Sequence, residues 1–236
     1  MQVVILGCSD EQGVPRVGCE CEVCQSALLP GSRNHRTGSS IALRYGRSYA
    51  ERWVLIDAAP EFRLQATKRG LRQLDALLLT HCDDANVVGL GPLLMSQRGS
   101  GLPLQVYAPS PVLEALREQF RYLWTGQAYR RVMHLQFLDD PVDLWGLVVH
   151  PMRIDHGIEG TGFGYQLRIG QRRLAYIPAM LRPTAEVQQA LMGLDLLIVG
   201  ASHYYDDTEL WKRSIMDIMT AQELISQVGP EQAVLT

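Results

Sequence analysis

The 236-residue sequence has no apolar run long enough to cross a bilayer. Met1 leads straight into Gln2-Val3-Val4-Ile5-Leu6-Gly7, without the basic segment and small-residue cleavage pattern of a secretory leader. These two absences predict a soluble, cytoplasmic protein with no membrane partner. Charge is also scarce. Only 20% of residues are charged and the net charge is −3, so there is no basic footprint for nucleic acid. There are five cysteines, and Cys8 and Cys82 stand isolated, which excludes a disulfide framework. Repeats, low-complexity segments and linkers are missing as well. With 47% hydrophobic residues the chain can bury a sizeable core, and one domain or two would suit that composition equally.

What is present begins with the other three cysteines, packed into Gly18-Cys19-Glu20-Cys21-Glu22-Val23-Cys24. A CxCxxC turn can bring three thiolates to about 2.3 Å from one zinc ion in tetrahedral array. Free buried thiols or a disulfide are the alternative reading, but Glu20 and Glu22 argue for an exposed loop rather than a core. With a fourth ligand from elsewhere such a zinc would be structural, since it would keep no open position. His35 follows closely enough to be a candidate for that ligand.

Short apolar runs predict strands at Val3 to Gly7, Ser40 to Tyr45, Trp53 to Asp57, Ala76 to Thr80, Leu104 to Tyr107, Leu147 to Ile154, Phe163 to Ile169, Arg173 to Ile177, Leu196 to Val199 and Gln232 to Leu235. Helices are predicted at Pro60 to Arg69, Val87 to Arg98, Pro111 to Leu123, Thr184 to Leu191 and Thr220 to Val228. Strands in meanders, then helices, then the same again suggest a layered α/β arrangement of two mixed sheets with helices outside.

The strand Leu77-Leu78-Leu79 ends in Thr80-His81-Cys82-Asp83-Asp84-Ala85-Asn86. His81 and Asp83, two apart on an extended segment, would project to one side and could share a metal ion. The plainer alternative is a turn histidine, with Asp83 or Asp84 as the N-cap of the next helix, and Asp84 suits the cap better.

With these residues in view, the chain resembles the metallo-β-lactamase-fold superfamily. Within it, the chain is similar to the cyclic-phosphate phosphodiesterase of the carbon–phosphorus lyase pathway and to the B protein of pyrroloquinoline quinone biosynthesis. The resemblance is carried by Gly13-Val14-Pro15 with the cysteine cluster, Arg36-Thr37-Gly38-Ser39-Ser40-Ile41-Ala42-Leu43, Leu55-Ile56-Asp57-Ala58-Ala59-Pro60-Glu61-Phe62-Arg63, Asp155-His156 and Ala175-Tyr176-Ile177-Pro178. It implies a four-layer αββα sandwich, one domain over 1–236, with a zinc loop at about 18–24.

Active hydrolases of this kind carry Thr-His-x-His-x-Asp-His at that strand end and hold two metal ions. On this sequence the four ligand positions fall at His81, Asp83, Ala85 and Asn86, so two are lost. The later histidine matches His156, the bridging aspartate falls at Ala179, and a further active-site histidine of the phosphodiesterase matches His203. Relatives continue past Val234-Leu235-Thr236 with His-x-x-His, which supplies one active-site ligand and the fourth ligand of the cysteine zinc; this sequence ends at Thr236. The resemblance therefore implies at most a mononuclear site of His81, Asp83 and His156 for zinc, manganese or iron, with Asp83 and His203 as catalytic candidates. Two imidazoles and one carboxylate are also the donor set of non-haem iron oxygenases.

Three functions follow as expectations. One is a divergent metal-dependent hydrolase of a small phosphodiester or related ester, with His203 as acid or substrate-positioning group. Another is a mononuclear iron enzyme in cofactor or peptide-derived metabolite biosynthesis. The third is an inactive scaffold that keeps only the cysteine zinc. The expected partners are a small-molecule substrate and either a second copy or a pathway protein. Trp124, Trp145, Trp211, Tyr107, Tyr165 and Tyr176 read as core and rim aromatics rather than a base-stacking platform. Tyr204-Tyr205-Asp206-Asp207 reads equally as pocket lining or plain loop, and His134 and His150 have no partner pattern.

Overall fold

The computed structural model describes residues 1–98, 102–125 and 132–236, with Trp124 and Thr125 as backbone only. The chain divides into two compact units, residues 1–137 and 138–236, each built on one six-stranded mixed sheet.

In the first unit, β1 (Gln2–Gly7), β2 (Ser40–Tyr45) and β3 (Arg52–Ile56) form an antiparallel meander, with α1 (Glu22–Ala27) between β1 and β2. The sheet then turns parallel through β4 (Ala76–Leu78), β5 (Leu104–Ala108) and β6 (Met133–Phe137). Parallel neighbours require crossovers, and helices supply them. α2 (Phe62–Arg69) precedes β4, α3 (Asp84–Val87) and α4 (Leu90–Gln97) precede β5, and α5 (Ser110–Gln119) and α6 (Arg121–Thr125) follow it. The central strands carry unbroken apolar runs, Val54-Leu55-Ile56 and Ala76-Leu77-Leu78, and all six residues are fully buried. Gly70 stops α2 in the left-handed region, with the Leu71 N–H reaching back to the Ala66 carbonyl at 2.9 Å.

The second unit repeats this wiring. A meander of β7 (Val142–Leu144), β8 (Leu147–Asp155), β9 (Thr161–Ile169) and β10 (Arg172–Ile177) leads to parallel β11 (Leu196–Val199) and β12 (Gln232–Leu235). The crossovers are α7 (Ala185–Ala190), capped by Thr184, and α8 (Ile218–Val228), capped by Asp217 accepting from the Thr220 N–H at 2.8 Å. Met152, Ile154, Ile177, Leu197, Val199 and Leu224 belong to one buried cluster under these helices.

Every predicted strand and helix is present, with ends displaced by a few residues. The predicted helix from Val87 to Arg98 is two helices, because the chain breaks at Val88–Gly89, and the predicted helix over 111–123 breaks at Phe120. Neither β6 nor β7 was anticipated. Trp145 and Gly146, both at positive φ, make the tight two-residue turn that joins β7 to β8. Tyr165 and Tyr176 are core residues, Trp145 and Trp211 are exposed, and the side chain of Trp124 lies outside the described residues. No described helix is long and apolar enough to cross a membrane.

Candidate functional site

The cysteine cluster forms at the entrance to α1. Gly13, at φ +68, turns the chain so that Val14 and Arg36 exchange backbone hydrogen bonds of 2.9 Å, which ties the loop to the segment before β2. Cys21 is the N-cap of α1, and its Sγ accepts from the Cys24 N–H at 3.5 Å. Sγ of Cys24 accepts from the Arg16 N–H at 3.4 Å. Such donors favour thiolate: the Cys24 N–H, with the neighbouring thiols, holds Cys21 below its ordinary pKa. At Cys24 the Arg16 N–H works in the same direction, but burial and the adjacent Cys19 and Cys21 outweigh it and raise the thiol.

The three Sγ atoms lie within 4.8 Å of one another. Zinc held by sulfurs at about 2.3 Å needs them roughly 3.8 Å apart, so the donor set fits that ion. Among the described residues this is the one group of three or more such side chains gathered so closely; His35, His81, Asp83 and His156 belong to none. The expected exposed loop needs correction at one residue. Cys21 is exposed, whereas Cys24, in the first turn of α1, is buried.

The second cluster is built where β3 and β4 end. Their parallel register pairs Ile56 with Leu78, so the residues that follow each strand meet. Asp57 turns sharply at φ +61, a conformation that aspartate tolerates better than most residues. Its N–H donates to the Leu78 carbonyl at 2.9 Å and its carbonyl accepts from the Ser40 hydroxyl at 2.8 Å. Its carboxylate accepts from the Thr80 N–H at 2.9 Å and from the Thr80 hydroxyl at 2.8 Å. Thr80 Oγ1 also lies 2.8 Å from His81 Nδ1 and accepts from Asn86 Nδ2 at 3.3 Å. The Asn86 carbonyl accepts from the Ala58 N–H at 2.7 Å, and the Gly89 N–H donates to the Ala58 carbonyl at 2.9 Å. A Cβ at Gly89 would collide with the Ala59 carbonyl oxygen, so this close approach of the two chain segments requires glycine.

Asp57 and Thr80 are fully buried, and His81 and Asn86 nearly so. Burial raises the Asp57 carboxyl to about 7, against the opposing pull of the Thr80 and Asn86 donors. Asp83, by contrast, is exposed and sits at the N-cap position of α3, and no side-chain bond closes that cap. The expected cap, Asp84, is the first residue inside the helix. β4 ends at Leu78, so strand alternation does not extend to His81 and Asp83.

In the second unit, His156 follows β8 and is buried. Its N–H donates to the Gly160 carbonyl at 2.9 Å, and Asp155 accepts from the Gly157 N–H at 2.9 Å. Gly157 has φ +57, and an added Cβ would strike the Arg213 carbonyl oxygen. His203 is exposed after β11, with Nδ1 3.1 Å from the Ser202 hydroxyl and its carbonyl accepting from the Ile218 N–H at 2.8 Å. Tyr204, Tyr205 and Trp211 are exposed nearby in sequence. Arg213 holds this loop, pairing with Asp206 at 3.4 Å and Asp217 at 3.6 Å.

Residues 52–236 match a family profile described as the beta-lactamase superfamily domain. The chain belongs to that superfamily. Coenzyme PQQ synthesis protein B of Methylobacterium nodulans is 32% identical over 233 residues, 88% of this chain and 75% of that protein. An octanoyltransferase of Porphyromonas gingivalis is 32% identical over the whole chain, which spans only 45% of that relative's length. Zn(2+)-bound PqqB from Methylobacterium extorquens superposes with a TM-score of 0.78 at 26% identity, covering 100% of this chain and 88% of the other. A diphosphatase from the PhnP family superposes with a TM-score of 0.83 at 23% identity, covering 99% of this chain and 85% of the other, which shows the shared metallo-β-lactamase fold. The superfamily profile straddles the boundary between the two compact units.

Proposed function

We propose that this superfamily member is a metal-dependent hydrolase of a small ester, phosphodiesters first, with a reduced, mononuclear metal centre. The observation that carries the reading is His81, buried at the exit of β4 with Nδ1 2.8 Å from the Thr80 hydroxyl, the kind of second partner that orients a metal-binding histidine. By the resemblance, His81, Asp83 and His156 are the residues matched to ligands, and His203 the one matched to an acid or positioning group. Ala85, Asn86 and Ala179 offer no imidazole or carboxylate where a second ion would need them. A bound divalent cation would lower the pKa of water and offset charge on the ester.

Zinc at Cys19, Cys21 and Cys24 would be structural; the gathered thiols suit that ion, and a relative described as Zn(2+)-bound is compatible with zinc in this chain. The test is turnover of bis(p-nitrophenyl) phosphate with added zinc or manganese. Activity lost in His81→Ala is the expected result, and no metal-dependent turnover across a panel of esters would overturn the proposal.

A second reading is favoured by the two-histidine, one-carboxylate donor set together with the 32% identity to a coenzyme synthesis protein. In it the ion is iron and the role oxidative. Anaerobic reconstitution in which His81→Ala abolishes Fe(II) binding would support it, and wild-type protein that binds no Fe(II) would end it.

A further inference from the structure

A cavity of about 240 Å³ opens at the edge of the first sheet, between β1, the segment before β2 and α2. That is several times the roughly 30 Å³ filled by one water, so a small molecule fits. None of the residues assigned to the metal centres lines it. Its charged walls are Arg36, Lys68, Arg69 and, when protonated, His35; among the described residues no acidic side chain lines it. Glu61 accepts from the Gly38 N–H at 3.1 Å and stays outside the lining. Nη1 of Arg36 donates to the Arg33 and Asn34 carbonyls at 3.0 and 3.2 Å, which fixes the guanidinium. Lys68 and Arg69, in the last turn of α2, enter no ion pair among the described residues. Like charges around one hollow repel one another until an anion joins them.

The same cavity carries a hydrogen-bond deficit. Gln65, 3% exposed, forms part of its wall. Nε2 of Gln65 lies 2.9 Å from the Gly38 carbonyl, which can only accept, so the amide nitrogen must be the atom on that side. It donates to Thr37 Oγ1 at 2.9 Å as well. Oε1 is thereby fixed as a buried acceptor with no donor among the described residues. Gly7 permits this close arrangement, since a Cβ there would strike the oxygens of Thr37 and Gly38. The donor that Oε1 lacks has to come from what fills the cavity. Water would serve the amide, but it brings no charge to the cations.

We propose that this cavity is a second ligand site, for a small phosphate monoester that also carries a hydroxyl group. A phosphate dianion would meet Lys68, Arg69 and Arg36, and the hydroxyl would donate to Gln65 Oε1. No bond is made or broken there: the site binds, and it does so without the residues of the proposed metal centre.

The experiment compares two esters on the full chain without added metal: glycerol 3-phosphate, and propyl phosphate, which has the charge and nearly the size but no hydroxyl. Calorimetry should show glycerol 3-phosphate binding about 3–10-fold more tightly, the share of one hydrogen bond to a buried acceptor. Two-dimensional ¹H–¹⁵N NMR should locate it, through shifts at the Gln65 side-chain amide and at the backbone of Cys8 and Thr37. Lys68→Gln combined with Arg69→Gln, both exposed positions, should weaken binding at least about tenfold with the circular dichroism unchanged. No binding of glycerol 3-phosphate at millimolar concentration overturns the proposal without needing any variant to fold. Equal affinity for the two esters overturns it too, because Gln65 then takes no part. So does binding that the double variant leaves unaltered, or that shifts only residues away from the cavity. None of these outcomes touches the hydrolase reading, since neither a metal ion nor His81 enters the measurement.

Discussion

A carboxyl sealed inside the first unit must make stability depend on pH. Asp57 is raised from an ordinary 3.8 to about 7 by burial. The folded chain then keeps this proton up to about pH 7, while the unfolded chain releases it near pH 4. Over that window the folded state binds more protons, so stability falls as pH rises, by at most about 1.4 kcal/mol per pH unit, and levels off above pH 7. The whole effect is about 4 kcal/mol, and more than half of it falls between pH 5 and pH 8. Asp57→Asn removes this titration. Urea unfolding of both proteins at pH 5, 6, 7 and 8, without added metal, reports the term, because ionisations outside the Asp57–Thr80–His81 chain cancel in the difference. The variant should gain on the wild type as pH rises. A difference that is flat across the range, or that shrinks, refutes a buried carboxyl with a raised pKa.

Cys24→Ser should remove one zinc ion per chain by elemental analysis and reduce Tm by several degrees; unchanged zinc would exclude the thiolate site. Gly157→Ala forces a side chain into a left-handed turn against the Arg213 carbonyl oxygen and should cost about 2–4 kcal/mol in urea unfolding, with an unaltered midpoint counting against the turn geometry. Arg213→Ala leaves the carboxylates of Asp206 and Asp217 facing each other without their shared cation, and should speed amide exchange at Met219, whose N–H bonds the Tyr204 carbonyl. Exchange at the wild-type rate would show that the ion pairs do not order the loop.

What could be read from the sequence was local. The apolar runs of β3 and β4 announce themselves, and three cysteines within six residues need no tertiary structure to suggest a common ion. β6 carries a strand signal in the alternation Met133-His134-Leu135-Gln136-Phe137, although only Met133 is buried. β7 has three residues and no pattern of its own. The breaks in the predicted helices, at Val88–Gly89 and at Phe120, fall within runs whose composition suits a continuous helix. The same limit applies at the site. His81 stood out as a residue type, but its orientation depends on Asp57, 23 residues before Thr80, and the two meet only because β3 and β4 run parallel. Asp57 was noticed as part of a family-like run, yet its role required the strand register.

Asp57 poses a physical question that a purely structural role does not answer. A buried carboxylate at positive φ is an expensive residue, and near neutral pH its ionised form weakens the fold. Asparagine would adopt the same backbone, accept the same Thr80 N–H and avoid the buried charge. The one task beyond asparagine is to accept the Thr80 hydroxyl proton, since its second polar group donates. The need for a carboxylate is therefore a need for a direction of hydrogen bonding, running from His81 through Thr80 to Asp57. That direction has no consequence for the packing of β3 and β4, whose buried residues are apolar. It bears on the Thr80 hydroxyl and through it on His81, and so the stability given up at Asp57 is accounted for by the ligand role proposed for that histidine.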